Sequence, residues 1–184
     1  MFIVVGLPRS RTAWLAEFLS AGGWKCYHEP SRFFTGLEDL RAFLHLPRKG
    51  AADAMMCLLR KEILERNPHT RFVVVRRDRK DVEESIKALN RWTQDVSRFL
   101  DVMERHLDGF RDENTLTVDY EELGSEDRAG ELFEFCTRTP FDLARYRILA
   151  NRRITADVAA VERDCKVNEA GIERLYGKIV RGEN

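Results

Sequence analysis

Residues 1–14 read Met1-Phe2-Ile3-Val4-Val5-Gly6-Leu7-Pro8-Arg9-Ser10-Arg11-Thr12-Ala13-Trp14. Phe2–Val5 is a continuous apolar run of β-forming residues, the pattern of a buried strand. Gly6 breaks it. A short polar loop follows, and Trp14, Leu15, Phe18 and Leu19 then repeat at helical spacing until Gly22-Gly23. A buried strand, a tight loop and a helix N-terminus, in that order, make an anion site. The loop amides and the positive end of the helix dipole face the same point, and phosphate is its commonest occupant.

Working outward, Trp24–Tyr27 reads as a short second strand. Leu37, Leu40 and Leu44 mark a helix before Pro47, and Met55, Leu58, Leu59 and Ile63 another that stops at Asn67-Pro68. Phe72–Val75 is a second buried strand. Val82, Ile86 and Leu89 carry a helix, and Trp92, Val96, Phe99, Leu100, Met103 and Leu107 a longer one whose aromatic stripe is core packing. Leu116–Val118 is a short strand, with helices expected near 121–137 and 141–150. A charged tail from about residue 151 carries a helix through Ile172, Leu175 and Ile179. Strands alternating with helices predict an α/β fold with a mostly parallel sheet. In such sheets ligands bind at the carboxyl ends of the strands.

The 184 residues suit one domain with a core large enough to fold alone. Lys+Arg and Asp+Glu both number 31, so net charge gives no bulk attraction to nucleic acid or membrane. No stretch approaches the roughly 18 apolar residues of a membrane span. The opening apolar run has no basic flank, so no secretory leader is expected and the location expected is cytoplasmic. Cys26, Cys57, Cys136 and Cys165 are widely spaced, which suits free thiols in a reducing compartment. Neither they nor His28, His45, His69 and His106 show metal-ligand spacing.

Set against the Walker A pattern G-x-x-x-x-G-K-[ST], the loop keeps only its first glycine, Gly6. Arg11 stands at the second glycine, Thr12 at the lysine and Ala13 at the hydroxyl residue that holds magnesium. That argues against ordinary magnesium-nucleotide chemistry. Taken only as local structure, the loop is a strand–helix turn with Ser10 as N-cap.

The loop resembles instead the 5′-phosphosulfate loop, Gly-x-Pro-Arg-Ser-Gly-Thr-Thr, of the sulfotransferases that use 3′-phosphoadenosine 5′-phosphosulfate (PAPS). Gly6, Pro8, Arg9, Ser10 and Thr12 match. Arg11 departs from the usual glycine and Ala13 from the second threonine. After the Phe72–Val75 strand, Arg76-Arg77-Asp78-Arg79-Lys80-Asp81-Val82-Glu83-Glu84-Ser85 is similar to the family's 3′-phosphate motif, Arg-[Asn/Asp]-Pro-x-Asp-x-x-x-Ser. Arg77, Asp78, Asp81 and Ser85 match, and Arg79 replaces the proline. A guanidinium at a strand's carboxyl end and a hydroxyl on the next helix suit one phosphate; taken only as local structure, the stretch is a charged helix start capped by Asp78 or Asp81. Thr117-Val-Asp-Tyr-Glu-Glu-Leu123 is similar to the family's Tyr-Glu-[Asp/Glu]-Leu segment, with Asp119 and Glu122 placed as a capping box.

The resemblance implies a three-layer, P-loop NTPase-like α/β fold and sulfuryl transfer from PAPS to an acceptor hydroxyl or amine, leaving adenosine 3′,5′-bisphosphate, with no metal required. Gly6, Pro8, Arg9, Ser10, Arg11, Thr12 and Ala13 would line the 5′ side, Arg77 and Ser85 the 3′ phosphate, and Arg9 would stabilise the leaving phosphate. The base is His28 or Glu29 in Cys26-Tyr27-His28-Glu29-Pro30, after the second strand. Arg32, Arg48 and Lys49 are either contacts for an anionic acceptor or solvated surface. The family's late Arg-Lys-Gly-type closing loop has no counterpart, with Lys166 or Arg152-Arg153 the substitutes at hand. Two alternatives stand beside this: a nucleotide or small-molecule kinase, and a non-catalytic nucleotide-binding protein.

Overall fold

The computed structural model of the protein describes residues 1–89, 96–152 and 154. Five strands form one all-parallel sheet: β1 Phe2–Gly6, β2 Lys25–His28, β3 Lys49–Ala52, β4 Arg71–Arg76 and β5 Thr115–Asp119, in the order β2-β3-β1-β4-β5. Seven described α-helices connect or follow them: α1 Thr12–Leu19, α2 Leu37–His45, α3 Arg60–Arg66, α4 Arg79–Lys87, α5 Val96–Leu107, α6 Glu126–Thr137 and α7 Leu143–Ala150.

Helices cover both faces of the sheet, and strand periodicity decides which core each side chain joins. Ile3, Val5, Phe72 and Val74 point to one face, against Leu40 and Phe43 of α2, Ile63 of α3, Val82 of α4, and Leu100 and Met103 of α5. Phe2, Val4, Val73 and Val75 point to the other, against Trp14 and Phe18 of α1, Leu132 and Phe133 of α6, and Tyr146 of α7. The Trp14 indole N–H donates to the Leu149 carbonyl at 2.9 Å and fastens α7 to α1. Both faces of β1 and β4 are thus dry, which is why these strands read as unbroken apolar runs.

Strand β3 has no counterpart in the sequence-based expectations. Lys49-Gly-Ala-Ala52 carries no large apolar side chain, yet all four residues are buried. Its neighbours fill the space instead. Gly50 pairs with Phe2, and a Cβ at Gly50 would lie 2.0 Å from the Phe2 ring, which in turn packs on Trp24. Trp24 itself precedes β2 rather than opening it.

The helix expected over 55–63 is a 3-10 turn, Ala54–Leu59, followed by α3, and the one expected over 121–137 is a 3-10 turn, Glu121–Gly124, followed by α6 with Ser125 as its cap. The Asp119 amide donates to Glu122 Oε2 at 3.0 Å, one half of the anticipated capping box. Cys26, Cys57 and Cys136 are buried free thiols. Among the described residues no helix is long and apolar enough to cross a membrane. Trp92, Arg153, Cys165, Lys166, Ile172, Leu175 and Ile179 lie outside the described residues.

Candidate functional site

Because all five strands run the same way, their carboxyl ends share one edge of the sheet. The loop Leu7–Arg11 leaves β1 there. Gly6 is needed at its root, since a Cβ would sit 2.7 Å from the Val75 carbonyl of adjacent β4. Arg9 (φ 70°) and Arg11 (φ 61°) are both left-handed and flank Ser10, so the chain turns sharply before entering α1. The N-cap of α1 is Arg11, with no side-chain cap, so Ser10 does not take the capping role. The Ser10 side chain is 1 % exposed, and its Oγ has no hydrogen-bond partner among the described residues. The first turn of α1 contains no acidic residue. An uncapped helix N-terminus beside a buried, unpaired hydroxyl fits an anion's oxygen.

Arg11 occupies a position that glycine takes without strain. Its guanidinium lies over the rings of Trp14 and Tyr120, at 5.5 and 5.6 Å. Thr12 and Ala13 open α1, Thr12 buried and Ala13 half-buried without a hydroxyl, and Pro8 is half-buried in the loop.

At the end of β4, Arg77 points to the same loop. Its Nη1 donates to the Arg9 carbonyl, and its guanidinium lies 4.3 Å from the centre of the Tyr120 ring. Its Nε is buried with no partner among the described residues. Arg9 reaches back, its Nε donating to Ser85 Oγ on α4 at 3.1 Å. The N-terminus of α4 is closed by its own Asp78, which accepts from the amides of Lys80 and Asp81. An anion here would therefore meet side chains rather than free helix amides. Arg79 is anchored elsewhere, on Glu83, on Asp101 and Glu104 of α5, and on Ser97.

At the end of β2, half-buried His28 places Nε2 3.2 Å from Thr12 Oγ1 and 3.5 Å from Glu29 Oε1. Burial pulls the imidazole below its usual 6.5, with the Arg32 guanidinium adding to this and the Asp53 charge opposing it. Burial pushes the Glu29 carboxyl above its usual 4.5, against Arg32 and Arg9. Both groups move toward a neutral state, the direction that poises a pair for proton exchange.

The sequence-based candidates Arg9, Ser10, Thr12, His28, Glu29, Arg77 and Ser85 thus meet at one edge. Arg48 and Lys49 do not. They sit at the start of β3, at the opposite end of the sheet from His28, since Lys49 pairs with Lys25 and Ala52 with His28. The Lys49 ammonium is buried against the Leu46 carbonyl and the Phe43 ring. Two residues at the edge were missed as site residues. Asp53 follows the featureless strand β3, and no local pattern signals it. Tyr120 lies in the segment read only as fold support, and its position at the end of β5 was the available signal. Among the described residues no group of three or more His, Cys, Asp and Glu is arranged to hold a metal ion.

No protein-family model matches this chain, and no curated protein or solved structure matches it. The geometry of the edge therefore carries the functional argument.

Proposed function

We propose that this chain is a sulfotransferase that takes the sulfuryl group from 3′-phosphoadenosine 5′-phosphosulfate and gives it to an acceptor hydroxyl or amine. One observation carries this. The two motifs that resemble the family's 5′- and 3′-phosphate loops follow separate strands, yet Arg9 Nε donates to Ser85 Oγ, 76 positions on, and Arg77 to the Arg9 carbonyl. Adjacency of β1 and β4 in the sheet gives the two loops a common wall. In this reading the fold is P-loop-like, forms one domain and works in the cytoplasm.

The donor set fits a nucleotide with phosphates at both ends. Ser10 Oγ, Thr12 Oγ1 and the amides opening α1 would hold the 5′ side, and Arg77 with Ser85 the 3′ phosphate. The nucleotide supplies the sulfuryl group. Arg9 stabilises negative charge on the phosphate that leaves, the role that a preorganised cation performs in group transfer. His28 or Glu29 takes the acceptor's proton. His28 held neutral can accept that proton at Nε2, and Glu29, 3.5 Å away, can stabilise the imidazolium formed.

A non-catalytic nucleotide binder is the second reading, favoured by Ala13, which puts no hydroxyl where the family's loop has one.

Thermal stabilisation by adenosine 3′,5′-bisphosphate, beside 5′-AMP and Mg-ATP, tests the reading. Ligand at about 100 times its Kd stabilises a fold by roughly 2.7 kcal/mol, a rise of several degrees at this size. The expected result is a rise with the bisphosphate that Arg77→Ala abolishes. A rise only with Mg-ATP overturns the proposal in favour of a kinase. Transfer of labelled sulfate from PAPS across an acceptor panel then separates the enzyme from the silent binder.

A further inference from the structure

One buried carboxylate that no motif predicted is built into the site's edge. Asp53, 1 % exposed, directly follows β3. Both its oxygens are used: Oδ2 accepts the Ser31 amide at 2.8 Å and Oδ1 the Met55 amide at 2.9 Å. Its own amide donates to the Val4 carbonyl of β1 at 2.9 Å. A single side chain thereby holds the start of two 3-10 turns, Pro30–Phe33 after β2 and Ala54–Leu59 after β3.

Between His28 and the first of these turns stands Glu29, at φ 47°. A non-glycine residue stays left-handed only where its surroundings over-determine it. Here the fastenings lie on both sides. The Glu29 amide donates to the Ala52 carbonyl at 3.0 Å, and two residues on the Ser31 amide is held by Asp53. The pairing of β3 with β1 and β2 needs no carboxylate at its end. Burying one is costly, and the bonds it makes all serve the turns.

We propose that Asp53 is a positioning residue: it pins the Glu29 turn through the Ser31 amide, and so sets His28 and Glu29 against the loop after β1. Asp53 touches no substrate in this role. The inference rests on the reading of His28 and Glu29 as the pair that receives the acceptor's proton. The groups facing His28 are Thr12 from α1, Glu29 beside it, Arg32 from the 3-10 turn and Asp53 from the end of β3. Of these, two are carboxyl groups whose charge favours the imidazolium, Glu29 at 3.5 Å and Asp53, the latter pushed above its usual 3.8 by burial.

The test uses the whole chain with Asp53→Asn, which keeps the shape but loses the charge and one of the two acceptors. The His28 Hε1 resonance is followed from acid to neutral pH, and melting is measured with and without adenosine 3′,5′-bisphosphate. The expected result is a lower His28 midpoint with the bisphosphate stabilisation kept. With an acceptor that the wild type turns over, kcat falls roughly 100-fold, the scale of losing a placed base, while KM for PAPS is unchanged. An unmoved His28 midpoint, or a wild-type kcat, overturns the proposal. Should Asp53→Asn fail to fold, amide exchange in the wild type decides: protection of Ser31 supports the pin, and exchange at the rate of an open turn overturns it. Loss of the bisphosphate effect in the wild type would count against the sulfotransferase reading alone, because the titration and exchange results do not depend on it.

Discussion

The Thr12 hydroxyl lies 3.2 Å from Nε2 of His28 and joins the loop after β1 to the end of β2, two strands that are not neighbours in the sheet. The same nitrogen faces Glu29 Oε1 at 3.5 Å. The residue that opens α1, beside the proposed phosphate pocket, and the proposed base pair are therefore one connected unit.

Titration of that unit has a sign in stability. His28 sits below its usual 6.5 through burial and Arg32, so it binds fewer protons folded than unfolded. Its contribution is present above 6.5 and is lost as the pH falls through its folded value. Glu29 sits above its usual 4.5 through burial, so its contribution is present below 4.5 and is lost as the pH rises through its folded value. Melting temperatures across this range should separate them. His28→Gln should gain on the wild type as the pH drops below 6.5, and Glu29→Gln should gain as it rises above 4.5. Curves that run parallel to the wild type would show that neither group is perturbed.

The legibility of the chain followed its chemistry. Strands β1 and β4 were readable because, lying between two helical layers, they must be apolar on both faces. Strand β3 was not, because the space over Gly50 is filled by Phe2, a residue distant in sequence that itself packs on Trp24. Asp53 was lost with it. Arg9, Arg77 and Ser85 were singled out because they fall in two patterned loops. Their mutual hydrogen bonds needed the β1–β4 pairing, which no local pattern encodes. Lys49 went the other way. Its charge suggested surface or an acceptor contact, and the sheet register puts it, buried, at the far end.

Gly6→Ala should be destabilising even though the residue is in a strand. The added Cβ would meet the Val75 backbone oxygen at 2.7 Å, and a backbone atom in a central ladder cannot step aside as a side-chain tip can. Overpacking of this kind costs about 1–3 kcal/mol. At this chain length each kcal/mol lowers the melting temperature by about 2–4 °C. An unchanged melt would mean that β1 and β4 lie farther apart than described.

Arg79→Pro restores the residue that the resembled motif carries, and it should still lower stability. Proline is well tolerated at the first residue of a helix, and Asp78 caps the amides of Lys80 and Asp81, not that of Arg79. The loss comes from the bonds to Glu83, Asp101, Glu104 and Ser97 that tie α4 to α5. Exposed pairs contribute about 0.2–1 kcal/mol each. Salt near 1 M screens charges to about 3 Å, so the deficit should shrink there. A deficit independent of salt would place the effect in the backbone instead.

Arg11 separates backbone strain from side-chain contacts. Arg11→Ala and Arg11→Gly both remove the guanidinium from the Trp14 and Tyr120 rings. Only the alanine keeps a Cβ at φ 61°. A left-handed residue other than glycine bears roughly 1–2 kcal/mol of strain, partly offset by the greater freedom of glycine in the unfolded chain. Arg11→Gly should therefore melt above Arg11→Ala. The glycine also restores one of the two positions, Arg11 and Ala13, at which the loop departs from the resembled motif. In the proposed function, bisphosphate stabilisation should survive in Arg11→Gly, because the arginine's contacts are with the Trp14 and Tyr120 rings. Its loss in that variant, with the melt preserved, would assign Arg11 a direct charge contact with the nucleotide.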